Sequence, residues 1–331
     1  MRVGIHCITG ATGLIGSHVA EQLIERGERV RALVRANSDP TFLRQIGAEV
    51  VLGDLEDPAS LRPFVRGAAT VIHCAARVSD WGNWPVFERS IVATTRHLLQ
   101  ACMAEGRPAF LHVSSVAVYG HPTFTPGQLL DEDAPLGQRL WLWDYYIRAK
   151  IQAEELVQQY GGHWTILRPS WTYGPRDRNS FPRVLRLVRS GWGLLIGRGD
   201  NLLNIVHARD VALGVVLAAS TEQANHRIYN LCSDGQITQR DFLNALTDGL
   251  GQPRVRWHLP YRLAFYAGFL GELLGRLLGW KSPPSLTRYG VALVGRSTLY
   301  STKRAREELG WVPRVHPLQG LCELLAALPK S

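Results

Sequence analysis

Residues 2 to 9 (RVGIHCIT) form an apolar, β-leaning run that ends at Gly10. Beyond the turn Gly10-Ala11-Thr12-Gly13-Leu14-Ile15-Gly16, apolar positions recur at helical spacing through Val19, Leu23 and Ile24 up to Gly27. Further strands are predicted at Arg29 to Val34, Glu49 to Leu52, Thr70 to Cys74, Ala109 to Val113 and Trp164 to Leu167. Helices are predicted between them, around residues 40 to 46, 87 to 104 and 144 to 160. Short apolar strands alternating with helices are the pattern of a parallel sheet covered on both faces. The expected fold class is α/β: a doubly wound parallel sheet with a smaller C-terminal domain.

After Gly174-Pro175 the alternation weakens. Residues 1–175 are assigned to the main domain, with 205–219 returning to it, and 176–331 mostly to a substrate-binding domain. Residues 120 to 140, rich in Pro, Gly and Asp, predict a long loop over the site. The stretch 259–280 (LPYRLAFYAGFLGELLGRLLGW) is the most hydrophobic, yet Arg262, Glu272 and Arg276 interrupt it and its glycines weaken it. That argues against a spanning helix. Two readings are left, a helix lining an apolar substrate entrance, which is favoured, and a peripheral helix resting on a bilayer.

Composition changes this picture little. A chain of 331 residues, 46% hydrophobic and 20% charged, is globular in kind. Its formal charge of +9 is spread over scattered arginines, which argues against a nucleic-acid partner. Cys7, Cys74, Cys102, Cys232 and Cys322 lie far apart among apolar neighbours, so they read as reduced core residues and no metal site is expected. A strand beginning almost at Met1 leaves no room for a leader, so a cytoplasmic protein is expected. A homodimer is left open.

The glycines carry the first chemistry. Gly10 permits a tight turn, Gly13 lets backbone approach a pyrophosphate, and Gly16 lets helix and strand pack closely, with the helix N-terminus facing the phosphates. The spacing is G-x-x-G-x-x-G at the start of a βαβ unit, which predicts a Rossmann-type dinucleotide site. Where an acidic residue would accept from the adenosine ribose of NAD, Arg35 follows the second strand. A guanidinium pairs with a 2′-phosphate, so NADP(H) is favoured over NAD(H). Asp54, after the third strand, is placed to accept from the adenine amine; its plainer role is capping the next helix.

Tyr146 and Lys150 stand four apart in DYYIRAKIQAEELV and so share one helix face. A free tyrosine titrates near ~10, and a neighbouring ammonium is expected to stabilise the phenolate. Tyr146 can then give a proton to a carbonyl oxygen as hydride arrives, or take one from an alcohol as hydride leaves. Lys150 has a second task in holding the nicotinamide ribose hydroxyls. Ser115, beside Ser114 at the end of LHVSS, can bond the same oxygen, though strand-end capping is its plainer role.

TGATGLIG at the N-terminus, SSVAVYG at 114 to 120, YIRAK at 146 to 150 and LRPSWTYGP at 167 to 175 together resemble the extended short-chain dehydrogenase/reductase family. The resemblance implies that Ser115, Tyr146 and Lys150 form a catalytic triad and that Pro169 and its neighbours contact the nicotinamide carboxamide. The cofactor contacts expected are Gly10, Thr12, Gly13, Leu14, Ile15 and Gly16, then Arg35, Asp54, Leu55, Ala75 and Ala76, then Tyr146, Lys150 and Pro169. The C-terminal region looks most like the branch of 3β-hydroxysteroid dehydrogenases, decarboxylating sterol dehydrogenases and bacterial 2-alkyl-3-ketoalkanoate reductases. Two departures stand out. Ser90-Ile91-Val92-Ala93-Thr94 replaces the usual N-V-x-G-T, and Arg96 falls in the same pattern; no role is carried onto them.

The expected function is NAD(P)-dependent interconversion of a secondary alcohol and a ketone on a bulky apolar substrate. Trp81, Trp84, Trp141, Trp143, Trp171 and Trp192 fall in segments expected to face the nicotinamide, which favours such a substrate. The alternatives are a nucleotide-sugar epimerase and a non-catalytic NADP-binding protein. Val116 and Ala117 stand where 4,6-dehydratases carry acids, which disfavours dehydration.

Overall fold

The computed structural model describes residues 4–123, 128–178, 180–191, 193–234 and 237–328. Its main sheet contains β1 (Ile5–Thr9), β2 (Arg29–Val34), β3 (Glu49–Leu52), β4 (Ala68–His73), β5 (Ala109–Val113), β6 (Trp164–Pro169) and β7 (Arg227–Leu231). The strand order is 3-2-1-4-5-6-7 and every neighbouring pair is parallel. Alternate residues of each strand enter opposite cores. Ile8, Ile72, Leu111 and Leu167 meet α1 (Leu14–Glu25), and Cys7, Val71, Phe110 and Ile166 meet α2 (Pro58–Val65), α3 (Thr94–Ala104) and α4 (Tyr145–Gln158). Both faces are covered, which is why the strands read as unbroken apolar runs.

The structure departs from the sequence pattern in four places. Trp84–Phe87 forms a first helical turn, and Glu88–Ala93 is a π-helical turn leading into α3. Residues 205–207 pair with Trp171–Tyr173 and not with the main sheet. The segment that follows, α5 (Ala208–Ser220), packs on α1 and closes that face. Strand β7, beyond the segment expected to return, also joins the sheet, beside β6. Fully buried Trp311 brings a later stretch back too, donating from its indole to the Asp210 carbonyl at 2.8 Å.

The remaining residues build a lobe. Its core is Tyr173, Phe181, Leu185, Phe242, Leu246 and Leu321. Against it lie α6 (Tyr261–Leu277) and α7 (Arg288–Gly295). The amphipathicity of α6 is inverted. Ala264, Gly268, Glu272 and Gly275 are buried, whereas Leu263, Tyr266, Leu270, Leu274 and Leu277 are exposed. The glycines that weaken its helix propensity are what let it dock: a methyl on Gly268 would lie 3.1 Å from the backbone of Thr287 and Arg288. Among the described residues, no helix is long and apolar enough to cross a membrane.

Candidate active site

The expected cofactor residues collect at one edge, the C-terminal ends of the parallel strands, where doubly wound sheets receive ligands. The turn Gly10 to Gly16 leaves β1, Arg35 follows β2, and Asp54 and Leu55 follow β3. Ala75 and Ala76 follow β4, Ser115 follows β5, and Pro169 is the last residue of β6.

The turn is shaped as a cradle. Gly10 has φ +68°, and a Cβ there would lie 2.7 Å from the Ala75 nitrogen. A Cβ on Gly16 would lie 2.4 Å from the Gly10 carbonyl oxygen. Helix α1 begins without a side-chain cap or an acidic residue in its first turn, so its free N–H groups suit an anionic diphosphate. These features fit a dinucleotide. Arg35 is exposed at the end of β2, and the register Thr9 to Leu33 sets it beside the glycine turn. Asp54 does not cap the following helix: its carboxylate accepts from the Glu56 amide, while Asp57 accepts from Ala59 and caps α2.

Tyr146 and Lys150 lie on the face of α4 turned to the sheet, and Ser115 meets them from the end of β5. Ser115 accepts from the Ala117 amide at 3.2 Å, so it does cap the strand end, and it lies close enough to the Tyr146 phenol to pull that group's pKa downward. Burial pushes the Tyr146 phenol up to about 12, against the downward pull of Ser115. Burial also pulls the Lys150 amine down to about 8, with Glu154 and Cys74 opposing it. This corrects the expectation that Lys150 lowers the phenol. The buried amine donates to the Val113 carbonyl at 2.8 Å, and desolvation outweighs charge. Tyr146 is thus a neutral phenol at ordinary pH.

Tyr146 opens into a cleft lined by Asp80, Trp141, Trp143, Glu272, Arg276 and Tyr289, among others. A clip missed in the sequence shapes its rim. Asp144 accepts from the Trp141 amide at 2.6 Å and pairs with His121 at 3.0 Å, while the His121 ring stacks on Trp141 at 3.5 Å. An aspartate immediately before a helix was its one signal. Glu272 and Arg276 were also missed, charges inside the 259–280 apolar run being the clue, as were Arg288 and Tyr289, which carry no such signal. Of the tryptophans, Trp141 and Trp143 line the cleft, and Trp81 stands behind Arg276. Trp84 packs near Tyr145, Trp171 packs on Phe242 in the lobe core, and Trp192 lies outside the described residues. Ser90 donates to the Val86 carbonyl inside its own helical turn.

A parallel sheet with a glycine cradle and a Ser–Tyr–Lys cluster at its strand ends defines a nucleotide-dependent enzyme of the extended short-chain dehydrogenase/reductase type. The chain belongs to the NAD dependent epimerase/dehydratase family, whose profile matches residues 6–232. It is 31% identical to the 4-hydroxy-2-methyl-3-oxo-4-farnesyl-3,4-dihydroquinoline-1-oxide ketoreductase of Stigmatella aurantiaca, over 97% of this chain and 96% of that one. It is 27% identical to the 2-alkyl-3-oxoalkanoate reductase of Stenotrophomonas maltophilia, over 97% and 98%. It is 28% identical to the decarboxylating sterol-4-alpha-carboxylate 3-dehydrogenase of Mus musculus, over 93% and 86%. The crystal structure of gox2253 superposes with a TM-score of 0.79 at 29% identity, covering 98% of this chain and 97% of that one. The chain is an NAD(P)-dependent dehydrogenase/reductase acting on CH–OH groups.

Proposed function

We propose that this enzyme interconverts a secondary alcohol and a ketone on a bulky, largely apolar substrate, with Tyr146 as the proton-transfer group. The observation that carries the reading is Tyr146 lining an aromatic cleft, with Ser115 near its phenol and buried Lys150 one helical turn on, held by the Val113 carbonyl. A bound nicotinamide supplies or accepts the hydride. Tyr146, neutral below its raised pKa, donates its phenolic proton to the ketone oxygen in the reductive direction. Ser115 holds that oxygen in place. Lys150, one helical turn further on, holds the ribose hydroxyls, and a proton taken up from solvent restores the Tyr146 phenol after turnover. Gly10 to Gly16 hold the diphosphate, Asp54 takes the adenine amine, and Arg35 selects the 2′-phosphate, so NADP(H) is preferred.

The names of the relatives support the substrate class: a farnesylated quinoline oxide, a 2-alkyl-3-oxoalkanoate and a sterol carboxylate are each bulky and largely apolar. The outer face of α6 extends the reading to an anionic lipid surface. Its exposed leucines are flanked by Trp257, 78% exposed, and Trp280, 47% exposed, with Arg256, Arg262 and Lys281 exposed around them.

The test is Tyr146→Phe. Turnover of a 3β-hydroxysteroid and of a 3-hydroxy fatty acid, followed at 340 nm, is expected to fall by about 10²- to 10⁴-fold. NADPH binding, read by fluorescence, is expected to stay within a factor of two or so of wild type. Turnover that survives the substitution overturns the reading.

A further inference from the structure

Among the described residues, the carboxylates lining the cleft are paired, and Arg276 is the one arginine there without a carboxylate partner. Asp80 accepts from Thr287 at 2.5 Å and lies 3.5 Å from Arg183. Asp144 is held by His121 and the Trp141 amide. Glu272 is saturated by Arg288, taking its backbone amide at 2.7 Å and its guanidinium at 2.8 Å. Arg276 has no carboxylate within ion-pair distance among the described residues. Its Nη1 donates to the Gly82 carbonyl at 2.9 Å, and its Nε is buried without a hydrogen-bond partner. Its guanidinium carbon lies over both Trp81 and Trp143, 4.6 Å from each ring centroid.

A cation held against two indoles and tied to a backbone carbonyl is pre-oriented, so little side-chain entropy is lost when an anion docks. Desolvation without a counter-ion is costly, and burial pulls the Arg276 pKa below its usual range, with Glu272 opposing. A bound anion would relieve that cost. Leu263, Leu270 and Leu274, on the same helix, turn outward, so the charge is not there to solubilise α6.

We propose that Arg276 binds a carboxylate on the substrate, close to the carbon that reacts at Tyr146, so that the enzyme prefers hydroxy or oxo acids over their neutral esters. This rests on the redox reading of the cleft. The competing role is a mechanical latch, in which stacking and the Gly82 bond only tie α6 to residues 79–84.

The experiment compares NADP-linked oxidation of 2-hexyl-3-hydroxydecanoic acid with that of its methyl ester. Wild type, Arg276→Gln and Arg276→Lys are assayed. Wild type should favour the acid about tenfold or more in kcat/KM, as one charged hydrogen-bonded pair would give. Arg276→Gln should abolish that preference by raising KM for the acid while leaving the ester nearly unchanged; Arg276→Lys should keep part of it. Equal use of acid and ester by wild type, or an equal loss on both in Arg276→Gln, overturns the proposal while the redox reading stands. If wild type oxidises the acid, the ester and 3β-hydroxysteroids not at all, the redox reading fails and this proposal with it. Should Arg276→Gln not fold, calorimetry on wild type with NADPH decides: 2-hexyldecanoic acid should bind about tenfold tighter than 2-hexyldecanol, and equal binding overturns the proposal.

Discussion

The sheet body and the α6–α7 lobe form the two walls of one cleft, and opposite rules build them. In the body, apolar side chains alternate to either side of the sheet and are covered, and polar chemistry appears where the strands run out. In α6, the small and charged residues face the cleft while the leucines face outward. The first arrangement holds Ser115, Tyr146 and Lys150 on a rigid edge. The second gives the cleft a cationic wall and the molecule an apolar outer face. On the proposed function, proton transfer and substrate selection fall to different parts of the chain.

The largest expected difference between the two regions is their response to acid. His18, His73 and His207 are buried in the body, whereas His258 and His316, later in the chain, are exposed. Burial pulls His73 down to about 3 and His18 and His207 down to about 4. The unfolded imidazole titrates near ~6.5. Between about pH 4 and that value the unfolded chain binds protons that the folded chain refuses, so stability falls as pH drops. At pH 5 each of the three costs about 2 kcal/mol. Glu132 and Asp210, whose carboxyls burial raises, act in the opposite sense and offset part of this. Calorimetry should show Tm falling by on the order of 10 °C from pH 7 to pH 5. A level Tm would mean that the body accommodates charge as readily as the exposed lobe.

The next test addresses the outer face of α6. Leu270→Glu with Leu274→Glu removes two large apolar contacts, each worth about 1.5–3 kcal/mol when covered. Flotation with phosphatidylcholine/phosphatidylserine vesicles should drop by about 100-fold or more in partition coefficient. Turnover of a short, water-soluble ketone should stay at the wild-type level, because neither side chain lines the cleft. Wild type that ignores vesicles but elutes as a dimer, with the double variant monomeric, would reassign this face to a second copy of the chain.

The same contrast explains what was legible in the sequence. Strands β1 to β6 could be read because each is a short apolar run between turns, and the Tyr146/Lys150 pair because both residues lie on one helix. β7 was missed because RIYNL, with Arg227 and Asn230 among its five residues, is not an unbroken apolar run. The inversion of α6 was missed for a different reason. Periodicity reports a difference between helix faces and not which of them is buried. Arg276 and Glu272 read only as interruptions of an apolar run, and their meaning depends on Trp81, Trp143 and Arg288 arriving from elsewhere. The pKa of Tyr146 was misjudged because spacing shows proximity to Lys150 but not that the amine turns to the Val113 carbonyl.

The smallest effect belongs to Arg35, and it separates the two walls most cleanly. Its side chain is exposed at the end of β2, so its loss removes little from the fold. If it pairs with the 2′-phosphate, Arg35→Ser removes about one charged hydrogen-bonded contact, raising KM for NADPH about tenfold. KM for NADH, which lacks that phosphate, should stay level. Parallel changes for both cofactors, or none, would make Arg35 a solvated surface residue and end the case for NADP preference. Run beside Arg276→Gln, the pair forms a cross. Arg35 should move the cofactor ratio and leave the acid-to-ester ratio alone, and Arg276 should do the reverse. A substitution that moved both ratios would show the walls to be coupled, and the division between body and lobe would not hold.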